Sequence, residues 1–192
     1  MKVVAFNGSP RIKGNTFQLL QIVLKEIQAE GIETELIQLA PLKVQPCQAC
    51  FKCAKAKNIQ CMGVTNDGLN EAVKKMVEAD GIIIGSPTWF ANVSGHVKNL
   101  IDRAGIVSRM NDMPLHRKVG AGVVAVRRAG AVQALDSINR FFQINGMIMP
   151  GAIYWGLAYG REMGECLKDE EGVKTMVDLG RNMAWLLKKL EN

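Results

Sequence analysis

Histidine is scarce in this chain: only His96 and His116 occur among 192 residues, and neither stands in a serine or cysteine arrangement that would favour acyl transfer. Aromatic residues make up 6% of the sequence and do not interleave with basic ones. The net charge is +6, but the lysines and arginines are spread along the chain without a basic block, so no nucleic-acid surface is expected. No long apolar run is present. The least polar stretch, Met147 to Gly160, is short and broken by Pro150 and Gly151, which excludes a membrane helix there. The opening MKVVAFNGSPR lacks the apolar core and cleavage site of a secretory leader. A cytoplasmic location without a membrane partner is therefore expected. Repeats and low-complexity linkers are also missing, and one unit over residues 1–192 is long enough to bury a core without disulfides.

Short β-branched apolar runs are present at Lys2 to Phe6, Thr34 to Leu39, Gly81 to Ile84 and Val119 to Val126, with a fifth candidate near Ala152 to Trp155. Between them apolar residues recur at helical spacing. One stripe runs Phe17, Leu20, Leu24, Ile27 and stops at Gly31, and another begins near Gly172 and carries Val173, Met176, Met183 and Leu187. Strands that alternate with helices and read as nearly continuous apolar segments predict an α/β fold with a five-stranded doubly wound parallel sheet. Residues 41–66 show no periodicity and are expected to form a long loop after the second strand. Such loops are usually functional or tied down.

In a doubly wound sheet, ligands sit beyond the carboxyl ends of the strands. The first such loop, Asn7 to Thr16, has small residues that let its N–H groups approach a ligand, side-chain donors in Ser9, Asn15 and Thr16, a charge in Arg11, and a helix N-terminus at its end. It has neither the lysine of a Walker A loop nor a G-x-G-x-x-G fingerprint, so it suits a mononucleotide phosphate. The second, Gly85 to Gly95, carries Pro87, Thr88, Trp89, Phe90 and Asn92, which suit a planar ring with polar edges. The third, Arg127 to Gly130, places charge near the same spot. A capped turn, buried rings and a solvated turn are the plain alternatives for the three.

Taken together, GSPRIKGNT after the first strand and ADGIIIGSPTWFANVSGHVKNLIDR from Ala79 to Arg103 resemble the NADPH-dependent FMN reductase branch of the flavodoxin-like superfamily. The resemblance implies a three-layer fold and FMN, with its phosphate in the Ser9 to Thr16 loop, its ring against Pro87 to Asn92, and Arg127 to Gly130 completing the site. Lys98 and Arg103 match family positions with a structural role.

Four of the five cysteines, Cys47, Cys50, Cys53 and Cys61, fall within fifteen residues in the spacing C-x2-C-x2-C-x7-C. In a reducing compartment such a group reads as metal ligands or redox groups rather than disulfides. Three thiolates at successive three-residue intervals with a fourth further on suit a [4Fe-4S] cluster. Tetrahedral zinc, more often held by two separated pairs, and uncoordinated thiols are the alternatives. Cys166 stands alone and is expected to be no ligand. Placed after the second strand of an FMN reductase, the motif resembles the iron-sulfur flavoprotein family. That resemblance implies electron transfer between [4Fe-4S] and FMN, with subunits assembled as a homodimer or homotetramer so that a cluster lies near a neighbour's flavin. Lys52, Lys55 and Lys57 would attract an acidic carrier.

The expected activity is thus an electron-transferring oxidoreductase working between a reduced carrier, ferredoxin-like or NAD(P)H, and a small acceptor. The alternatives are an NAD(P)H-dependent flavin, quinone or nitro-compound reductase whose cysteines hold zinc or nothing, and a non-enzymatic redox sensor.

Overall fold

The computed structural model describes residues 1–191. Its strands are β1 (Lys2–Asn7), β2 (Glu33–Gln38), β3 (Gly81–Pro87), β4 (Val119–Val126) and β5 (Leu157–Tyr159). All pair in parallel, in the order β2-β1-β3-β4-β5. The order reverses between β1 and β3, which makes that crevice the switch point of the sheet.

Helices α1 (Asn15–Ala29) and α7 (Glu170–Glu191) cover one face, while α4 (Leu69–Glu78), α5 (Gly95–Arg109) and α6 (Ala131–Ile144) cover the other. Alternation along the strands feeds the two cores. Val4, Phe6, Ile82 and Ile84 pack with α4 and α5, whereas Val3, Ala5 and Ile83 pack with α1 and α7. Because both faces are buried, β1 reads as a continuous apolar run rather than a polar–apolar alternation. Gly31, at φ 79°, ends α1 in the left-handed conformation as its position predicts. No helix among the described residues is long and apolar enough to cross a membrane.

Two expectations are corrected. The fifth strand lies at Leu157–Tyr159, not Ala152 to Trp155. A Cβ on Gly156 would run into the carbonyl oxygen of Gly122, and the pairing with β4 begins here, where the Gly156 carbonyl accepts from Val124 N at 2.8 Å. Ile153, Tyr154 and Trp155 stay exposed, so their strand-like composition reflects no sheet position. Residues 41–66 are also not structureless: α2 (Leu39–Leu42) runs into the segment and α3 (Lys52–Ala56) forms within it.

Candidate functional site

The carboxyl ends of β1, β3, β4 and β5 surround a cavity of about 180 Å³. Ser9, Arg11, Asn15, Thr16, Pro87, Thr88, Trp89 and Arg127 line it, joined by Pro10, Ala125, Gly160 and Arg161. Its wall therefore carries three guanidinium groups and no carboxylate.

The side chains ending β1 and β2 build the first wall. Asn7 Nδ2 donates to Gln38 Oε1 at 2.7 Å, Asn7 Oδ1 accepts from the Ser9 backbone at 3.1 Å, and Gln38 Nε2 donates to the Ser9 carbonyl. The Ser9 hydroxyl accepts from the Arg11 backbone at 3.1 Å, leaving its own proton free to donate. The N-cap of α1 is Gly14, and no side chain caps the first turn. Uncapped N–H groups and a helix N-terminus beside Thr16 make this wall attractive to an anion. Asn15 acts elsewhere, since its amide donates to the Gly160 carbonyl at 2.9 Å and accepts from the Gly164 backbone at 2.8 Å. It holds the loop after β5 in place.

On the opposite wall, Thr88 lines the cavity and its Oγ1 is buried without a hydrogen-bond partner. Trp89 and Asn92 exchange backbone hydrogen bonds of 2.9 and 3.0 Å around Phe90 and Ala91, which sit at φ 48° and 59°. A two-residue turn of this kind normally takes Asn-Gly, and two non-glycine residues in it cost about 1–2 kcal/mol each. Gly130, at φ 87°, lies so close that an added Cβ would meet Ala91 Cα at 2.6 Å, which locks the third loop against the turn. Phe90, Asn92 and Gly130 do not line the cavity. The Phe90 ring stands fully in solvent at the rim, and Asn92 Oδ1 accepts from the Val93 backbone at 2.8 Å and Ser137 Oγ at 2.9 Å. His96, half-buried in the first turn of α5, is not among the lining residues.

A second cavity, also about 180 Å³, is lined by all four clustered cysteines together with Gly63, Val64, Asp102, Arg103 and Ile106. Cys47 and Cys50 are exposed, and Cys53 and Cys61 are buried. The chain wraps around it through left-handed residues Ala49, Phe51, Lys57 and Ile59, a clustering of strained positions that persists only where the surroundings fix it. At Gly63 a Cβ would stand 2.5 Å from Cys50 Sγ, so the glycine leaves room for that thiol.

What ties the segment down is α5 and the residues around it. Asn99 Nδ2 donates to the Val44 carbonyl at 2.8 Å, Asn111 Oδ1 accepts from Ile59 N at 3.0 Å, and Asn70 Oδ1 accepts from Cys61 N at 2.7 Å. Arg103 is fully buried and pairs with Asp67, which is almost fully buried too. Removing one partner of such a pair typically costs about 3–5 kcal/mol because the other charge is stranded. Burial pushes the Asp67 carboxyl up, but N–H groups of Gln45 and Leu69 and the Arg103 guanidinium outweigh it and hold it below the usual range. Burial likewise raises the Cys61 thiol, and N–H groups of Val64 and Gly63 with Arg103 reverse the sign and hold it below its ordinary value. Cys53 has no arginine beside it, and there burial outweighs the local N–H groups and pushes the thiol up. Cys166 is buried elsewhere, beneath Asn15, and burial pushes its thiol up to about 11, as befits an inert core residue.

A family model for the NADPH-dependent FMN reductases matches residues 1–162. The chain belongs to that family. It is thereby a flavin-dependent oxidoreductase that binds FMN, and its relatives place it in the iron-sulfur flavoprotein branch. An iron-sulfur flavoprotein of Methanocaldococcus jannaschii is 38% identical over the full length of both chains. One of Methanosarcina thermophila is 29% identical over all of this chain and 97% of its own. Among solved structures, RosB, determined with 8-demethyl-8-formylriboflavin-5'-phosphate bound, superposes with a TM-score of 0.79 at 18% identity, covering all of this chain and 80% of that one. An archaeal flavodoxin gives 0.62 at 14% identity, covering 98% and 99%. At these identities the structural likeness establishes the flavodoxin-like fold alone.

Sequence reasoning missed Gly160 and Arg161 of this FMN reductase. They follow β5 directly and would have stood out as a fourth strand-end loop had that strand been placed at Leu157–Tyr159. Arg103 was visible only as a family position. Its reach to Asp67 and Cys61, both far away in the chain, has no local signal.

Proposed function

We propose that this FMN reductase is an electron-transfer iron-sulfur flavoprotein, passing electrons between a reduced carrier and a small acceptor through FMN and a [4Fe-4S] cluster. Bound FMN takes up two electrons and releases them singly, and a cluster carries one at a time. The observation that carries the reading is the convergence of Cys47, Cys50, Cys53 and Cys61 on one cavity beside the flavin-binding fold. All four cysteines line that cavity, and among the described residues no group of three or more His, Cys, Asp or Glu is gathered closely enough to hold a single metal ion. Zinc would draw four sulfurs to about 2.3 Å from one centre. A cubane is a larger body held by the same four thiolates, and the soft donor set suits iron–sulfur chemistry. This reading makes residues 1–192 a single unit with 41–66 as its cluster-binding loop.

In this reading FMN enters the switch-point cavity. The first turn of α1, Ser9, Thr16 and Arg11 would hold the phosphate, and Thr88 Oγ1 would find a polar atom of the flavin as its missing partner. Pro87 and Trp89 would flank the ring, and Phe90, Asn92 and Gly130 would shape the rim. Arg127 would set positive charge near the flavin. Lys52, Lys55 and Lys57, exposed around α3, suit an acidic carrier such as a ferredoxin. Assembly as a homodimer or homotetramer would cover the exposed Ile153, Tyr154 and Trp155.

The test is metal and flavin content in protein purified without oxygen. About four irons and four sulfides per chain, with one FMN, are expected. Stoichiometric zinc without iron would sink the cluster and leave a plain FMN, quinone or nitro-compound reductase. Mixing then separates the donors: reduced ferredoxin is expected to reduce the flavin faster than NADPH, and faster at low salt than at high salt. The phosphate wall has its own check. Replacing Arg11 with Gln is expected to weaken FMN about tenfold, the loss of one charge-assisted hydrogen bond, while riboflavin binding stays unchanged. Equal weakening of both flavins would show that Arg11 does not meet the phosphate.

A further inference from the structure

We infer that Arg103 is the positioning residue of the cysteine site. It clasps the cysteine loop before any cluster is present, and its hydrogen bond to Cys61 would tune the cluster afterwards. The inference rests on the cluster reading above and adds to it a residue that is not itself a ligand.

One planar group does the clasping. Nη1 of Arg103 donates to Asp67 and, at 3.2 Å, to the Gln45 carbonyl, and Nη2 donates to the Val64 carbonyl at 2.7 Å and to Cys61 Sγ at 3.2 Å. Gln45 precedes the first cysteine and Val64 follows the last, so both ends of the ligand-bearing segment meet on the same guanidinium. The three cysteines at 47, 50 and 53 are close in the chain, with Cys53 in α3. Cys61, further along the chain, is placed instead by contacts from outside the loop, from Asn70 and from Arg103. Arginine suits this role because its rigid fork presents several fixed donors, whereas lysine offers a single point charge. The fork sits on α5, whose N-terminal end is tied to the flavin side: Ser94 N donates to Ser86 Oγ at 2.9 Å, and Ser94 Oγ donates to the Gly8 carbonyl at 2.7 Å. The clasp thus sits on the helix whose N-cap, Ser94, is bonded to β3 and to the loop after β1.

With Cys61 as a thiolate ligand, the Nη2–H···Sγ bond would join two charged groups and would withdraw electron density from the sulfur. Hydrogen bonds to ligating sulfurs and nearby positive charge raise a cluster's reduction potential. Arg103 therefore has two separable effects. Clasping governs loop order and cluster assembly, and the bond to sulfur governs the potential.

The experiment compares wild type with Arg103→Lys and Arg103→Gln, each purified without oxygen. In the metal-free proteins, backbone amide exchange across residues 45–67 is read against α1 as an internal control. Arg103→Lys is expected to keep its FMN and the protection of α1, to exchange about tenfold faster or more in 45–67, and to lose iron affinity by about 10–100-fold. The iron that remains is expected to titrate at a lower midpoint potential than in wild type, with the flavin's own potentials unchanged. Unchanged exchange in 45–67 would overturn the clasp. A full iron complement at the wild-type potential would overturn the tuning. Should Arg103→Gln unfold, seen as lost protection in α1, Arg103→Lys decides alone. Absence of iron from wild type would sink the cluster reading and the tuning with it, while the exchange measurement still confirms or overturns the clasp.

Discussion

Replacing Cys50 with serine is expected to reduce iron from about four to less than one per chain in anaerobically purified protein while leaving FMN bound. Serine keeps the size of the side chain but offers a hard, protonated oxygen where iron–sulfur chemistry needs a soft thiolate. The fold has little to lose, since Cys50 is exposed. FMN is expected to remain because none of the residues lining the flavin cavity also lines the cysteine cavity. Iron, sulfide and flavin analysis of the same sample reads both quantities together. Loss of FMN in parallel with iron would mean that the cysteine loop holds the flavin site together, and retention of four irons would remove Cys50 from the ligand set.

The second large effect is expected from Gly8→Ala. Gly8 donates its N–H to the Gly85 carbonyl at 2.8 Å, which joins the loop after β1 to β3. A Cβ at this position would run into the Val97 side chain, lie 2.8 Å from the Gly85 oxygen and 3.2 Å from Ser94 Oγ. The backbone oxygen cannot move aside on its own, so β1 and β3 must part or the loop after β1 must shift. Overpacking of this kind costs about 1–3 kcal/mol. A loop shift costing about 1.4 kcal/mol is by itself enough to weaken FMN about tenfold. Thermal unfolding and FMN titration are both expected to register the change. Gly95→Ala serves as the control, because nothing lies within 4 Å of the added Cβ, and it is expected to be close to neutral. FMN affinity within about twofold of wild type in Gly8→Ala would show that the loop tolerates the displacement.

Much of the architecture follows from residue patterns that act locally. VVAF, IIIG and VVAV are apolar on both faces, and only a sheet covered on both sides can bury them, so β1, β3 and β4 are legible in the chain itself. Gly31 marks the end of α1 because a left-handed residue is needed there. The composition of the strand-end loops and the spacing of the cysteines likewise point to an anion site and a metal or redox site. The fifth strand is displaced from its expected place because Ile153, Tyr154 and Trp155 have strand-forming side chains. Whether such a run joins a sheet depends on the approach of Gly156 to Gly122, a contact between distant residues.

Spacing and neighbours within one turn were enough to read the α/β class, to pick out the strand-end loops whose Ser9, Arg11, Thr16, Thr88 and Trp89 line one cavity, and to group the four clustered thiols. Tertiary structure alone decided which of these meet. It engaged Asn15 with the Gly160 loop, brought Arg161 into the strand-end cavity, left Phe90 outside it in solvent, and closed the cysteine segment on Arg103 and Asp67. Those outcomes depend on how β5 and α5 dock against the sheet. The physical reason is that a buried ion pair or a close backbone approach joins residues far apart in the chain, and no local pattern encodes such a pairing.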